Sequence, residues 1–348
     1  MVKYSVTRIA FGLVILWSLR GWSFDVENVK TRPAMSHSRA EWKTKYARPR
    51  AIPFPEGNQF TPARELVGRT LFFDPRLSKS KTISCATCHN PGFSWTDGLP
   101  RAIGHGMKEH LRHTPTILNT AWADLLFWDG RAESLEEQAL KPIVAPGEMN
   151  QDLDKMVEIV TAIPGYGRMF ADAYPGRTIS AEAIGLALAN FERTVVSGSA
   201  PFDDWIGGRE PAISESAKRG FDYFNSRADC QLCHTGWNFT DNGFHDIGVS
   251  GADKGRGALL PLEAMQHAFK TPTLRNVSER GPYMHDGSER TLADTLELYD
   301  RGGRVSRPSL APEIHALHLS AAEKADLLEF LKTLTSADRR PEIPVLPR

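Results

Sequence analysis

All four cysteines of this 348-residue chain lie in two short motifs of the same pattern. Residues 85–89 read CATCH and residues 230–234 read CQLCH. Two thiols at this spacing can each form a thioether with a vinyl group of haem, and the histidine that follows can bind the iron. The motifs therefore predict two covalently bound c-type haems. Their attachment and proximal residues are Cys85, Cys88 and His89 for the first, and Cys230, Cys233 and His234 for the second.

Three other uses of paired cysteines fit the sequence less well. Two CxxC pairs can hold one zinc ion, but structural zinc pairs usually lie much closer together than these do. A thioredoxin-type dithiol needs a βαβ unit, of which the sequence shows no sign. Disulfides would leave the two trailing histidines without a role.

The first two dozen residues resemble an export signal. Lys3 and Arg8 precede an apolar stretch at residues 9–16, and small residues follow at 21–23. The stretch is too short to cross a membrane, so we predict a signal peptide at 1–23 and a periplasmic protein without a transmembrane span in its mature form. An uncleaved anchor is the alternative. Lysine plus arginine equals aspartate plus glutamate at 42 each, so the composition gives no sign of nucleic-acid binding.

The elements that must position the motifs are mainly helical. Polar residues 24–60, with several prolines, predict a leader that is either extended over the surface or partly disordered, and no convincing strand follows. Ser134 and Glu137 have the spacing of a capping box and predict a helix start. Apolar spacing and caps together predict helices at 63–73, 134–140, 151–162, 180–196, 214–224, 292–299 and 321–334.

An internal repeat separates the two haem sites. TPTILN at residues 114–119 and WDG at 128–130 match TPTLRN at 271–276 and HDG at 285–287 without a gap. The same alignment pairs Pro142 with Tyr299.

The pairing of Pro142 with Tyr299 has a chemical consequence. Proline has no atom that binds iron, whereas a tyrosine phenolate is a good ligand of ferric haem. If both positions face the distal side of a haem, the first iron stays open to peroxide and the second is capped and transfers electrons. The alternative for Tyr299 is a helix residue with its hydroxyl in solvent.

These features resemble the bacterial di-haem cytochrome c peroxidases and their MauG-type branch. The resemblance covers most of residues 60–335 and includes both CxxCH motifs, FWDGRAESLEEQALKPI from Phe127, GEM at 147–149 and GPYMHDG at 281–287. It implies a mainly α fold of two class I cytochrome c-like haem domains with long loops, related by duplication. We place them at 61–198 (peroxidatic) and 199–348 (electron transfer).

The resemblance also implies roles for individual residues. It places Trp128 between the haems as an electron relay. It places Gln138 and Glu148 in the peroxide pocket beside Pro142, with Glu148 as the acid–base group. A pocket glutamate suits that task, because cleavage of the O–O bond needs a proton on the leaving oxygen.

Two positions separate the subfamilies. Peroxidases that accept electrons from a small cytochrome or cupredoxin have a loop histidine at a position similar to that of His105. In those enzymes it binds the first iron until the second haem is reduced. The same peroxidases have methionine at the position of Tyr299. MauG-type enzymes have tyrosine there. This chain has both residues, but Tyr299 lies in a firmly aligned helix, whereas His105 lies in a loop and has a surface histidine as its alternative reading. We therefore predict a MauG-like enzyme that uses hydrogen peroxide to oxidise an aromatic residue of a partner protein. A conventional peroxidase and a non-enzymatic electron carrier are the alternatives.

Calcium is not expected, although the resemblance implies a calcium ion between the domains. The family has an asparagine at the position of His113 and commonly a threonine at that of Arg280. A neutral imidazole is a poor ligand for this hard cation, and Arg280 adds positive charge. Backbone carbonyls are the alternative ligands.

Overall fold

Helices provide most of the regular structure in the computed structural model, which describes residues 39–337 and 341–348. The predicted signal peptide lies outside these residues. The helices, α1 to α11 in chain order, are Arg39–Tyr46, Pro62–Phe72, Cys85–Cys88, Leu135–Val144, Leu153–Thr161, Pro164–Ala173, Ala181–Thr194, Pro201–Ile206, Glu215–Phe224, Leu292–Asp300 and Ala321–Lys332. Two short strands, β1 (Phe244–His245) and β2 (Phe269–Lys270), pair antiparallel with Phe244 opposite Lys270. The predicted mainly α fold is confirmed at this level.

Each helix predicted from the sequence is present, with ends that differ by a few residues. The Ser134 hydroxyl accepts a hydrogen bond from the amide of Glu137 at 3.2 Å, so Ser134 caps α4 as predicted. The Glu137 carboxylate accepts from the amide of Glu133 rather than that of Ser134, so the reciprocal half of the box is shifted by one residue.

Four helices, α1, α3, α6 and α8, were not predicted. Helices α6 and α8 each begin with a proline, Pro164 or Pro201, whose fixed φ suits the first helical position. Helix α1 lies within the predicted extended leader. Its Tyr46 is 1% exposed and stacks on Phe239, so packing against a distant segment stabilises the helix.

The C-terminal residues also differ from the loose tail that their prolines predicted. The carbonyl of Pro347 accepts a hydrogen bond from Arg76 at 3.1 Å, and that of Arg348 accepts from the amide of Gly165 at 3.1 Å. These contacts hold the tail against the segment between α2 and the first motif and against α6.

Two helix pairs form similar crossings, and each pair consists of the helix before a haem motif and a helix that follows the motif. A Cβ on Gly68 of α2 would lie 1.9 Å from the carbonyl oxygen of Ala187 in α7. A Cβ on Gly220 of α9 would lie 2.0 Å from the carbonyl oxygen of Asp326 in α11. Glycine therefore permits both close approaches, and each pair encloses its own hydrophobic cluster, one within residues 67–195 and one formed by Tyr46 and residues within 202–334.

The sequence repeat is matched by backbone conformation. Asn119 and Asn276, which are equivalent in the alignment, both have left-handed φ angles of 62° and 56°. Gly130 and Gly287 agree in the same way, at 70° and 67°. Helices α4 and α10 then begin at equivalent residues, Leu135 and Leu292, so the repeat holds position 142 and position 299 in corresponding helices.

Within residues 39–337 and 341–348, none of the helices combines the length and apolar character needed to cross a bilayer.

Candidate functional site

One cavity of about 730 Å³ is lined by residues of both haem motifs. This volume is within the range of pockets that bind cofactors. The cavity also brings together residues from both repeats. Of the site residues predicted from the sequence, the following line it: Cys85, Cys88, His89, Trp128, Gln138, Pro142, Glu148, Cys230, Cys233, His234 and Tyr299.

The first motif forms the short helix α3, which ends at Cys88 with His89 as its C-cap. The Ser84 amide donates a hydrogen bond of 3.0 Å to the hydroxyl oxygen of Thr87, and this contact fixes the start of α3. Nδ1 of His89 lies 3.2 Å from the carbonyl oxygen of Trp95. If Nδ1 carries the proton and donates it to this carbonyl, Nε2 keeps its lone pair for a metal.

The second motif has the same arrangement in a looser turn. Cys230–Leu232 form a single 3-10 turn, and Nδ1 of His234 lies 3.0 Å from the carbonyl oxygen of Phe239. Burial lowers the pKa of His234 and, likewise, that of His89. Both imidazoles are thus held in the neutral form that ligates a metal.

These residues fit two c-type haems. Burial raises the pKa of Cys88 and of Cys230 to about 12, so neither is held as a thiolate. Buried neutral thiols beside a large cavity suit thioether bonds to a haem better than a thiolate metal centre. Each cysteine pair is followed by an oriented neutral histidine on the same cavity wall.

Pro142 and Tyr299 occupy corresponding places in α4 and α10, and both line the cavity. Among the described residues, the hydroxyl of Tyr299 has no hydrogen-bond partner. Burial raises the pKa of this phenol, and the nearby thiols of Cys233 and Cys230 raise it further. The side chain is therefore available to a ligand in the cavity, but only a bound cation would stabilise its phenolate form.

Glu148 lies in a turn directly after α4. Its amide donates to the carbonyl oxygen of Ala145 at 3.0 Å, and Gln138 lies one helical turn before Pro142 on the cavity side. Burial raises the pKa of Glu148, while the charges of His110 and Arg131 act in the opposite direction. The carboxyl group thus keeps its proton to a higher pH than a glutamate in solvent does.

His110 is a site residue that the sequence analysis missed. Its Nε2 lies 2.8 Å from the carbonyl oxygen of Gly147, next to Glu148, and its ring lines the cavity. No motif surrounds it in the sequence. Its position depends on close packing of two glycines, since a Cβ on Gly104 would lie 1.9 Å from the oxygen of Gly147.

His105 lies in the same loop, but its ring is not among the residues that line the cavity. Its amide donates to the carbonyl oxygen of Glu148 at 2.8 Å, and its buried Nδ1 has no partner in the described part of the chain. The loop thus contacts the backbone of Glu148, and iron binding by His105 stays a prediction.

Trp128 of the first repeat contacts a residue of the second repeat. Its Nε1 donates to the carbonyl oxygen of His113 at 2.8 Å, and its ring meets that of His285, its counterpart in the alignment, with centroids 6.5 Å apart. His285 in turn stacks on Phe269, with centroids 3.5 Å apart. A continuous set of aromatic rings therefore lies in the middle of the cavity wall.

The residues around His113 do not fit a calcium ion. Nδ1 of His113 donates to the carbonyl oxygen of Leu99 at 2.7 Å, assuming the tautomer with the proton on Nδ1. The Arg280 guanidinium donates to the carbonyl oxygen of Thr273 at 2.5 Å and places a positive charge close to His113. A hard cation needs oxygen ligands and no neighbouring cation.

Glu192 of α7 is another cavity residue that the sequence analysis missed. It is 4% exposed, its Oε2 has no partner among the described residues, and burial raises its pKa to about 8. Between about pH 4.5 and pH 8 the unfolded chain has lost this proton while the folded protein keeps it. The free energy of unfolding should therefore fall as pH rises, by up to about 1.4 kcal/mol per pH unit.

A Glu192→Gln variant should lose this decrease and become more stable than the parent at pH 8. Urea unfolding of the haem-loaded protein at pH 5, 6.5 and 8 measures the slope. Glu182→Gln, at an exposed position on the same helix, is the matched control and should keep the parent slope. Equal slopes in all three proteins would contradict the assignment.

Two haem-attachment motifs on one cavity of a mainly helical chain define a di-haem c-type oxidoreductase. A family model described as di-haem cytochrome c peroxidase matches residues 62–211. The chain belongs to this family, which includes the MauG proteins.

Its relatives include both branches of the family. The methylamine utilization protein MauG of Methylorubrum extorquens is 48% identical over 321 residues, 91% of each chain. The cytochrome c551 peroxidase of Pseudomonas aeruginosa is 33% identical over 295 residues, 82% of each chain. The crystal structure of a MauG-like protein associated with microbial copper homeostasis is 31% identical, with a TM-score of 0.77 over 84% of this chain and 95% of the other. The chain is thus a MauG-like, peroxide-dependent di-haem enzyme.

Proposed function

We propose that this chain uses hydrogen peroxide to oxidise an aromatic side chain of a partner protein, with an open first haem and a capped second one. Cys85 and Cys88 would attach the first haem, and His89 would bind its iron. Cys230 and Cys233 would attach the second haem, and His234 and Tyr299 would both bind its iron. When bound, the haems supply an iron that binds peroxide and a store for the oxidising equivalents.

The observation that carries the proposal is the asymmetry at equivalent positions. Pro142 and Tyr299 lie seven residues into corresponding helices, and both line the cavity. The ring of Pro142 offers no donor atom, so it leaves space for a small substrate. The phenol of Tyr299 offers an oxygen ligand, which favours oxidised iron.

The other cavity residues have roles that follow from their contacts. Glu148, with Gln138 beside it, takes a proton from the near oxygen of peroxide and returns it to the leaving oxygen. Trp128 passes electrons between the haems through its contact with His285. In the complete reaction, the O–O bond breaks, two electrons come from the partner's aromatic residue, and two protons complete two water molecules.

The two haem domains, 61–198 and 199–348, are in this proposal products of an internal duplication. The matched left-handed residues, the paired glycine crossings and the two separate hydrophobic clusters support it. Arg112 joins the proposed domains through ion pairs to Asp129 at 2.6 Å and Asp253 at 2.7 Å. The misfit at His113 and Arg280 supports a domain contact without calcium.

In this proposal the enzyme acts in the periplasm, because the first residues resemble an export signal and c-type haems are attached outside the bacterial cytoplasm. The 48% identity to a methylamine utilization protein supports a protein substrate of the kind that a MauG enzyme modifies.

The second candidate is a peroxidase that takes electrons from a small cytochrome c or cupredoxin. It is favoured by His105 and by the 33% identity to a cytochrome c551 peroxidase. It requires the His105 ring to move into the cavity in the oxidised protein.

Stopped-flow mixing of the fully oxidised, haem-loaded protein with hydrogen peroxide distinguishes the two candidates. We expect a rapid spectral change without any added reductant, and slow turnover of reduced cytochrome c. A His105→Asn variant should react at the parent rate. A parent protein that is inert until reduced by one electron, together with an active His105→Asn variant, would overturn the proposal in favour of the peroxidase.

A further inference from the structure

Two cations that line the cavity have no carboxylate partner in the described part of the chain. The first is Lys270, at the end of β2, whose amide donates to the carbonyl oxygen of Trp128 at 2.8 Å. Its Nζ makes no hydrogen bond or ion pair there, and burial lowers its pKa to about 8. Asp124 and Asp241 act on it only from a distance, and Asp241 is bound to His245 at 2.8 Å.

The second cation is Arg280, which is 7% exposed. Its guanidinium donates only to the carbonyl oxygens of Thr273 and Asn276, at 2.5 and 3.4 Å. Burial lowers its pKa to about 10, and the one attractive neighbour is the phenol of Tyr283. His113 and His234, which its charge also reaches, would repel it if they were protonated.

Two other arginines show that this chain usually pairs such cations with carboxylates. Arg275 is fully buried and forms two hydrogen bonds of 2.9 Å with the carboxylate of Asp203. Arg112 reaches two aspartates from the same cavity wall. Arg280 is buried and Lys270 is half-buried. A cation that is largely removed from water is unfavourable without a counter-ion, so both residues indicate that anions belong in the cavity beside them.

We propose that Lys270 and Arg280 are the counter-ions of haem propionate groups in this cavity. Each haem carries two carboxylates, and a mostly apolar cavity cannot hold them ionised without cations. The inference depends on the proposed haem binding. In addition, these two residues keep the propionates ionised and thereby set the reduction potentials of the haems.

Spectroelectrochemical titration of haem-loaded Lys270→Gln and Arg280→Gln variants between pH 5 and pH 8 tests this. At pH 7 we expect the equilibrium constant for reduction of one haem to fall about tenfold or more in each variant, because an unpaired carboxylate disfavours the added electron. The potential should also become pH-dependent, since the propionate now takes up a proton on reduction. A merely structural role would not produce a new pH dependence.

Three controls accompany these variants. Lys270→Arg and Arg280→Lys keep the charge and should retain a pH-independent potential. Lys254→Gln removes an exposed lysine from the same region and should leave both potentials unchanged. Titration with inorganic phosphate tests the other anion source: potentials of the parent that shift with phosphate concentration would overturn the assignment to propionates.

A second measurement does not depend on the folding of any variant. Reduced-minus-oxidised infrared spectra of the parent protein with ¹³C-labelled haem carboxylates should show ionised carboxylate bands from pH 8 down to about pH 5. Carboxylic acid bands already present at pH 7 would overturn the inference. Glutamine variants with full haem content and parental potentials at every pH would overturn it as well, whereas a parent protein without covalent haem would instead refute the proposed function.

Discussion

A Tyr299→Met variant should have a second haem that is at least about a thousandfold easier to reduce than in the parent, measured as the ferric–ferrous equilibrium constant. Thioether sulfur favours ferrous iron, whereas an anionic phenolate favours the ferric and more oxidised states. Axial ligands tune haem potentials over about 0.8 V, so a change of this size lies well within their range. A potentiometric titration, monitored through the absorption spectrum of each haem, measures this equilibrium constant.

The functional result of Tyr299→Met should be loss of partner oxidation, while hydrogen peroxide is still reduced to water when an added electron donor supplies the two electrons. Without the phenolate, the second iron would not stabilise the more oxidised state that keeps the oxidising equivalents available to the partner. The structure gives the reason to expect a strong effect: among the described residues nothing else donates a hydrogen bond to the Tyr299 oxygen, and burial raises the pKa of the phenol. Only the iron then stabilises the phenolate.

Two further variants separate ligand loss from disturbance of the cavity. Tyr299→Phe removes the oxygen without supplying sulfur, and should leave the second iron with an open or water-bound site. Tyr283→Phe changes another cavity tyrosine, whose hydroxyl donates to the carbonyl oxygen of Val277 at 3.0 Å, and should keep the parental spectrum. A Tyr299→Met protein whose second haem retained its spectrum and potential would exclude Tyr299 as a ligand.

Much of the site could be predicted from the sequence because its information is local. The cysteine and histidine spacing within each motif determines which side chains can reach one porphyrin. The repeat has the same local character, since Asn119 and Asn276 adopt a left-handed conformation that asparagine tolerates, and this recurring turn precedes α4 and α10. The amino-acid sequence alone was therefore enough to compare positions 142 and 299.

The residues that were missed depend on contacts between distant segments. His110 gains its place from the turn at residue 147, and no periodicity connects the two. Lys270, Arg280 and Glu192 belong to residue types that are mostly exposed, so their places in the cavity wall, half-buried for Lys270 and buried for the other two, contradict the usual expectation. Helix α1 was missed for a similar reason, because Trp42 and Tyr46 are stabilised by Phe221, far along the chain.

A Glu148→Gln variant should react with hydrogen peroxide about 10²- to 10⁴-fold more slowly than the parent, the usual contribution of a positioned acid–base group. Glutamine keeps the size and polarity of the side chain but cannot take a proton from one oxygen and return it to the other. The measurement is the second-order rate constant from stopped-flow absorbance, with haem content checked beforehand. Glu133→Gln, at an exposed position nearby, should react at the parental rate.

The pH dependence gives an independent test of the same role. Glu148 must begin as the carboxylate to accept the first proton, and burial raises its pKa. The rate constant of the parent should therefore be low in acid, rise as pH passes through that raised pKa, and become level above it. In Glu148→Gln the profile should be flat. If the variant kept the parental rise, or reacted within threefold of the parent, the proton would have to be moved by another group, and His110 is the cavity residue next to Glu148 that could do so.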